Sequence, residues 1–402
     1  MLLDDDHRMI RDAVRDFAQA EIAPHAAQWA RESRFPREAL RGLAQLGCLG
    51  IAVPTAWDGA GLDYLSLALA IEEIAAADGA TSTVVSVNNC PVCSILMAWG
   101  SEAQKEQWLR PVARGEWIGA FALTEPQAGS DASNLRTTAR HVPPEVGLPT
   151  SPPEGVGQAR GGPALAVLEA DHYVIDGVKQ FITSGQNGQV AIVLAATDRA
   201  AGKKGISAFL VPTDTPGYIV ERLEEKTGQS ASDTAQIRFD GCRVPVSHRI
   251  GAEGAGYKIA LSGLEGGRIG IAAQSVGMAR AAFEAALRYA RERSAFGKPI
   301  AEHQAVQFRL AEMAMQIEAA RQLLWHAASL KDAGEPCLKE AAMAKLMASE
   351  MAERVCSAAM QIHGGYGYVA DFPVERIWRD VRVCQIYEGT SDVQKMLIAR
   401  AL

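Results

Sequence analysis

Several things are missing from this 402-residue chain, and each absence removes a class of function. No apolar run is long enough to cross a bilayer, so a membrane partner is not expected. No long block of Lys and Arg occurs and the net charge is −7, which argues against nucleic acid. The first residues, Met1-Leu2-Leu3-Asp4-Asp5-Asp6-His7-Arg8, are acidic and lack the charged-then-apolar pattern of a signal segment. Cysteine is sparse: seven residues are scattered along the chain, and Cys90-Pro91-Val92-Cys93 is a lone CxxC where a zinc ribbon would need two, so no metal is expected. A redox role for that pair competes with the plainer reading of buried core thiols. Free thiols without a signal segment point to the cytoplasm. A dinucleotide fingerprint is missing too. No strand precedes the glycines of Gln361-Ile362-His363-Gly364-Gly365-Tyr366-Gly367-Tyr368, and Gly254-Ala255-Gly256 lacks a third glycine, so a Rossmann cradle is excluded.

What is present falls into three blocks. Residues 1–118 read as a helical domain, with Ile10, Val14, Phe17 and Ile22 near helical spacing, an Ala/Leu-rich helix over Leu65 to Ala77, another at Ser94 to Trp99, and a Ser101/Gln104 capping signal. Residues 119–245 read as an antiparallel, barrel-like β domain. Its signals are the continuous apolar run Val190 to Ala195, short β-prone runs at Ser207 to Val211, Tyr218 to Val220 and Gln236 to Phe239, and a hairpin turn at Asp176-Gly177. Within it, His141 to Gly162 is rich in Pro and Gly and reads as a surface insertion. From 246 to 402 helical pattern returns: an Ala-rich stretch from Gly277 to Glu292, an amphipathic run from His303 to Leu330, another from Leu338 to Ile362 stopped by Gly364-Gly365, and a last short helix. About four helices suffice for a bundle. Helices, strands and helices in blocks make an α+β protein.

The stretch around which the chain is organised is Arg382 to Gln394. Glu388 stands on a tight loop before a helix start, with Gly389 next to it and a capping box read at Ser391/Gln394. Two readings compete for Glu388. It is either a carboxylate placed to complement the helix dipole, or a general base whose pKa rises when substrate expels water. Thr124, Gly129 and Ser130 suit a ligand with many acceptors or make a plain turn. Phe181 and Thr183 share a strand face that could cradle a flat ring system or mark an edge strand with one core ring. Arg293, just before Ser294-Ala295-Phe296-Gly297, could pair with a phosphate or simply cap a helix.

Two long patterns decide among these readings. One is Leu123-Thr124-Glu125-Pro126 with Gly129-Ser130-Asp131. The other is Gln361-x-x-Gly364-Gly365-x-Gly367, followed by Asp371, Arg376, Asp380 and Tyr387-Glu388-Gly389-Thr390. With them, the chain resembles the acyl-CoA dehydrogenase family over nearly its full length. The resemblance implies an N-terminal helical domain, a middle β-barrel-like domain and a C-terminal four-helix bundle. It implies bound FAD, a homotetramer, and oxidation of an acyl-CoA to the trans-2-enoyl-CoA, with electrons passed to electron-transferring flavoprotein. Such enzymes serve fatty acid β-oxidation or amino acid catabolism.

By the same resemblance, Glu388 is the base that takes the α-proton, with flavin N5 as hydride acceptor, and the Gly389 N–H meets the thioester carbonyl. Phe121, Leu123, Thr124, Gly129 and Ser130 form the flavin loop, and Ser130 also touches substrate. Phe181, Ile182 and Thr183 flank the flavin ring. Arg293, Phe296, His303, Gln304, Gln361, Gly364 and Gly365 hold the adenine and pyrophosphate end, some for a neighbouring subunit. Thr390 and Ser391 are the last flavin contacts. Glu265, Arg268 and Tyr387 are placed at the substrate. Three departures stand out: Phe181 replaces a more usual Trp, the insertion at 141–162 is long, and Gly267 occupies the position where some members carry the base. The stretches Leu264 to Ala272 and Lys339 to Lys345 look most like members acting on short straight or branched chains. The alternatives are an acyl-CoA oxidase, which uses oxygen, and a non-catalytic flavoprotein scaffold.

Overall fold

The computed structural model describes residues 2–146, 167–169 and 171–402; the insertion expected at 141–162 lies, from residue 147 on, outside the described residues. The chain opens with helix α1 (Asp5–Phe17), capped by the Asp4 carboxylate, which accepts from the His7 N–H at 2.9 Å. Helix α2 (Tyr64–Ala77) is capped by Asp63 and apolar nearly all round, and it is buried accordingly. Its two buried acids are not orphaned. Glu73 is paired with Arg15 and Arg280, and Glu72 with Arg280 and Arg321, so this helix is tied to α1 and to the C-terminal helices at once. Helix α3 (Gly79–Val87) follows.

An eight-stranded sheet comes next: β1 (Gly119–Ala122), β2 (Thr138–Val142), β3 (His172–Thr183), β4 (Val190–Ala196), β5 (Ile206–Pro212), β6 (Tyr218–Leu223), β7 (Thr234–Pro245) and β8 (Arg249–Ile250), in spatial order β8–β5–β4–β2–β3–β7–β6 with β1 beside β4. Most pairings are antiparallel as expected, but β1 and β2 run parallel to β4, so the sheet is mixed. Every residue of β4 is buried, as its unbroken apolar run requires.

The Asp176-Gly177 hairpin is not there. Both residues lie inside the single strand β3, where the register to β7 shifts between Ile175 and Gly177. Gly177 takes φ +148°, and a Cβ there would lie 2.5 Å from Thr137 Oγ1. The pair marks a bulge pressed against the neighbouring strand, the other meaning of a glycine in a strand.

The C-terminal part holds α4 (Gly256–Glu292), α5 (Gln304–Asp332), α6 (Leu338–His363), α7 (Pro373–Val381) and α8 (Ser391–Arg400). The pattern expected from Tyr257 is one unbroken 37-residue helix, α4. Its glycines do not break it, because they are where other elements come close. A Cβ at Gly270 would sit 2.3 Å from Ser86 Oγ, and one at Gly277 2.2 Å from the Glu72 carbonyl oxygen. The cap of α8 is also a correction. Thr390, not Ser391, accepts from the Val393 N–H, and Gln394 turns inward instead of closing a capping box. Ser391 takes helical position one, from which its hydroxyl cannot cap.

Candidate active site

Glu388 ends the loop between α7 and α8. It adopts φ 54° and Gly389 φ 90°, two successive left-handed residues in a tight reversal. For a glutamate this is strained backbone, of the kind that persists where the surroundings hold it. The carboxylate is laid against the bare backbone of α4: a Cβ at Gly267 would stand 2.7 Å from Glu388 Oε2 and 3.1 Å from its Cδ. Oε2 is out of solvent and has no hydrogen-bond partner among the described residues. Burial pushes this carboxyl up to about 7, against the opposing pull of Arg268 and Lys345.

The residues around it divide into spent and unspent groups. Arg268, on α4, is 5% exposed, and its Nε and Nη1 have no partner among the described residues. Burial lowers its pKa despite Glu388 nearby. Glu265 is spent: it accepts from Lys331 Nζ at 2.8 Å. Tyr387 is spent as well. Its hydroxyl bonds to Gln274 Oε1 and lies within 3.4 Å of Gln229 Nε2, so the side chain works as a core anchor and not as a group facing a ligand. Gly389 offers its carbonyl to Lys345 Nζ at 2.8 Å and to Gln394 Nε2 at 2.9 Å.

The loop from Phe121 to Ser130 leaves β1 and is held against the end of β3: the Gln180 N–H donates to the Thr124 carbonyl at 2.9 Å. Glu125 pins this loop. Its carboxylate is 3% exposed and accepts from Lys179 Nζ at 2.8 Å, Gln127 Nε2 at 2.6 Å, and the backbone N–H groups of Arg136 and Thr137. Leu123 and Thr124 are half-buried, while Gly129 and Ser130 are exposed, with open space where a Gly129 Cβ would go. At the end of β3, Phe181 takes φ 59° and is 61% exposed, Ile182 is buried and Thr183 half-buried. Thr183 pairs with Thr234 of β7. The segment leading into β7 carries Gln229, which donates to the Asp380 carbonyl at 3.1 Å and reaches Tyr387. Gln229 therefore ties the segment between β6 and β7 to α7 and to the residue before Glu388.

A second group stands apart. Arg293, Gly364 and Gly365 line a cleft of about 580 Å³ with Tyr289, His363 and Tyr366, and no neighbour of Glu388 lines it. Phe296 is 97% exposed, His303 meets its ring edge-on, and Gln304 and Gln361 are exposed; none of these four lines the cleft. Within one chain these residues do not converge on Glu388.

Sequence reasoning missed Lys345 and the roles of Gln394, Gln229 and Gln274. A signal for Lys345 existed: Ala341, Lys345, Ala348 and Ala352 recur at 4-3-4 spacing on the buried face of α6. A lysine in that phase must be paid for by a specific acceptor.

A half-buried carboxylate with one bare buried oxygen, a bare buried guanidinium and an open loop beside an exposed ring define a site built to receive a polar ligand. The pieces expected to meet a flavin also fit one: Ser391 Oγ is buried without a partner among the described residues, Phe181 is exposed, and open space lies where a Gly129 Cβ would go; Ser184 Oγ, one residue past the end of β3, is likewise buried without a partner there. Comparison with known proteins names the class. The chain matches the N-terminal, middle and C-terminal domain families of acyl-CoA dehydrogenase over 4–116, 153–242 and 254–402. It is 44% identical over 397 residues to the short-chain specific acyl-CoA dehydrogenase, mitochondrial, of Mus musculus, covering 99% of this chain and 90% of the relative. Butyryl-CoA dehydrogenase from Megasphaera elsdenii superposes with TM-score 0.89 at 38% identity, covering 100% of this chain and 99% of that one. A chain in the structure of the electron transferring flavoprotein of Acidaminococcus fermentans gives 0.91 at 40%, covering 100% and 98%.

The chain belongs to the acyl-CoA dehydrogenase family, a family of FAD-dependent oxidoreductases. The α+β architecture expected from the sequence, helical, β and helical in that order, is that of the family. No helix among the described residues is long and apolar enough to cross a membrane, and no group of His, Cys, Asp and Glu there could hold a metal.

Proposed function

We propose that this protein oxidises a short-chain acyl-CoA thioester, straight or branched, to the trans-2-enoyl-CoA, with Glu388 as the base that takes the α-proton. The observation that carries the reading is the Glu388 carboxylate, lodged against Gly267 with Oε2 buried and unpaired and its pKa raised to about 7. A base titrating there is about half ionised at neutral pH, so the carboxylate form is present, and it is basic enough to accept a proton from a weak carbon acid. The Gly389 N–H, beside it, is the donor for the thioester carbonyl, where negative charge develops as the proton leaves. Arg268 adds a buried positive charge near that point.

FAD, when bound, supplies the acceptor for the two electrons and the hydrogen lost from the β-carbon. Phe121, Leu123, Thr124, Gly129 and Ser130 with Phe181, Ile182 and Thr183 hold its ring, and Thr390 and Ser391 close the site. Arg293, Gly364 and Gly365 hold its far end. Phe296, Gln304 and Gln361, exposed in the single chain, and the half-buried His303 serve the same end across a subunit boundary in a homotetramer. Ser130, Glu265, Arg268 and Tyr387 bound the substrate side, Tyr387 by packing. The three working units are 1–118, 119–245 and 246–402. Short chains agree with the short-chain relative and with the butyryl-CoA enzyme. An electron-transferring flavoprotein is the proposed acceptor, in keeping with the structure in which a similar chain occurs. The seven cysteines, all buried and free, suit a reducing cytoplasm.

Anaerobic titration of the purified yellow protein with acyl-CoA thioesters of increasing length tests this. Bleaching strongest at about four carbons is the expected result, by analogy with those relatives. No bleaching with any length, or rapid peroxide formation on admitting air, overturns the dehydrogenase reading.

A further inference from the structure

Resting on the reading of Glu388 as the base, we propose that Lys345 and Gln394 are the positioning residues of this site, a two-sided clamp on the backbone of the Glu388–Gly389 turn that aims the Gly389 N–H and keeps a positive charge beside the carboxylate. Neither residue touches the reacting atoms; both act through the turn.

The geometry is specific. Gln394 is fully buried on α8, and its Nε2 reaches back to the Glu388 carbonyl at 3.1 Å and the Gly389 carbonyl at 2.9 Å. The peptide joining Glu388 to Gly389 is trans and planar, so its C=O and N–H point to opposite sides. Holding the carbonyl with Gln394 turns the Gly389 N–H to the opposite side from α8. Lys345 comes from α6, fully buried, and its Nζ donates to the Gly389 carbonyl at 2.8 Å. That carbonyl belongs to the next peptide, so the two residues fix two consecutive peptide planes. Together they hold a left-handed pair, φ 54° and φ 90°, that a glutamate would not keep alone. The clamp also accounts for a lysine where the helix pattern calls for an alanine.

The charge is the second half. Glu388 is faced by Arg268 from α4, by Lys345 from α6 and by the Cys90 thiol from the segment after α3. Lys345 is itself faced by Cys384, Glu388 and Arg268. Burial brings its ammonium down to about 8, so it is charged over most of the range in which Glu388 ionises. Lys345 spends its hydrogen bond on a carbonyl and leaves Glu388 Oε2 bare. It therefore lowers the base's pKa without neutralising the base in an ion pair.

Lys345→Met, Lys345→Arg and Gln394→Leu, each purified with FAD, separate these effects by flavin content, anaerobic reduction by a four-carbon acyl-CoA, and the pH profile of reduction. Lys345→Met is expected to reduce flavin on the order of a hundredfold more slowly and to move the acid limb to higher pH by about 1 unit. Lys345→Arg returns the limb toward its original position. Gln394→Leu slows reduction with the limb unmoved. Should Lys345→Met fail to bind FAD, Lys345→Arg and Gln394→Leu carry the test. Unchanged rates and limb in the variants overturn the proposal, as does slowing of Lys345→Met that tracks flavin loss with no shift of the limb. If the wild type itself is not bleached by any acyl-CoA, the reading of the function falls instead. Crystal structures of the same variants then decide the clamp, which is overturned if residues 388–390 keep their positions.

Discussion

Two buried lysines each stand close to a motif carboxylate, and the outcomes are opposite. Glu125 and Lys179 bond directly at 2.8 Å, two backbone N–H groups and Gln127 take the remaining acceptor capacity, and the carboxyl is held down at about 2 although burial opposes it. Glu388 and Lys345 are neighbours, but the ammonium is bonded to the Gly389 carbonyl, Oε2 has no partner, and the carboxyl is driven up to about 7. Lys179 and Lys345 themselves are both brought down to about 8 by burial. What separates the two acids is where the donors point. A fully satisfied carboxylate braces a loop, and one left wanting can take a proton.

The comparison breaks most readily at Glu388. Glu388→Gln keeps the shape and removes the base, so flavin reduction by acyl-CoA should fall about 10³-fold; retained FAD absorbance with normal turnover would place the chemistry elsewhere. At the other carboxylate the damage should be to folding. Glu125→Gln leaves Lys179 buried and unpaired, at a cost of about 3–5 kcal/mol, read as a lowered denaturation midpoint. Gly267→Ala tests whether the carboxylate needs the bare helix backbone. The added methyl must push the Glu388 side chain aside, and reduction should slow about 100-fold with little change in stability, measured by stopped-flow and by thermal melting.

The smallest expected effect is on stability against pH, and here the two acids have opposite signs. Glu125 has a lowered folded pKa, so its contribution is present above the ordinary carboxylate range and is lost as pH falls toward about 2. Glu388 has a raised one, so stability is greatest below the ordinary range and is lost as pH rises through about 7. Glu388→Gln should therefore melt on the order of 2 °C higher than the parent at pH 8 and equally at pH 4. Equal melting at both values would contradict a strained, desolvated base.

Much of this was legible without coordinates. Blocks of period and composition separate helices from strands, and the unbroken apolar run at Val190 is a buried strand because neither face can meet water. The Ser101/Gln104 capping box forms as read, because both partners lie within three residues. Where two local readings were equally good, the neighbour decided. Asp176-Gly177 is chemically a turn, but Thr137 lies against Gly177 and the strand runs on through a bulge. Ser391 and Thr390 are both competent caps, and the one at the correct backbone position wins.

The sequence by itself determined the order of the three parts, the motif that carries Glu388, and the family. Those properties are written in residues close along the chain or in patterns repeated every few positions. Only the tertiary structure decided that Gly267 makes room for the Glu388 carboxylate, that Lys345 and Gln394 grip its backbone, and that Lys179 neutralises Glu125 while Lys345 leaves Glu388 bare. Each of these depends on the direction of a side chain from a distant element, set by packing across many residues, which local spacing does not encode.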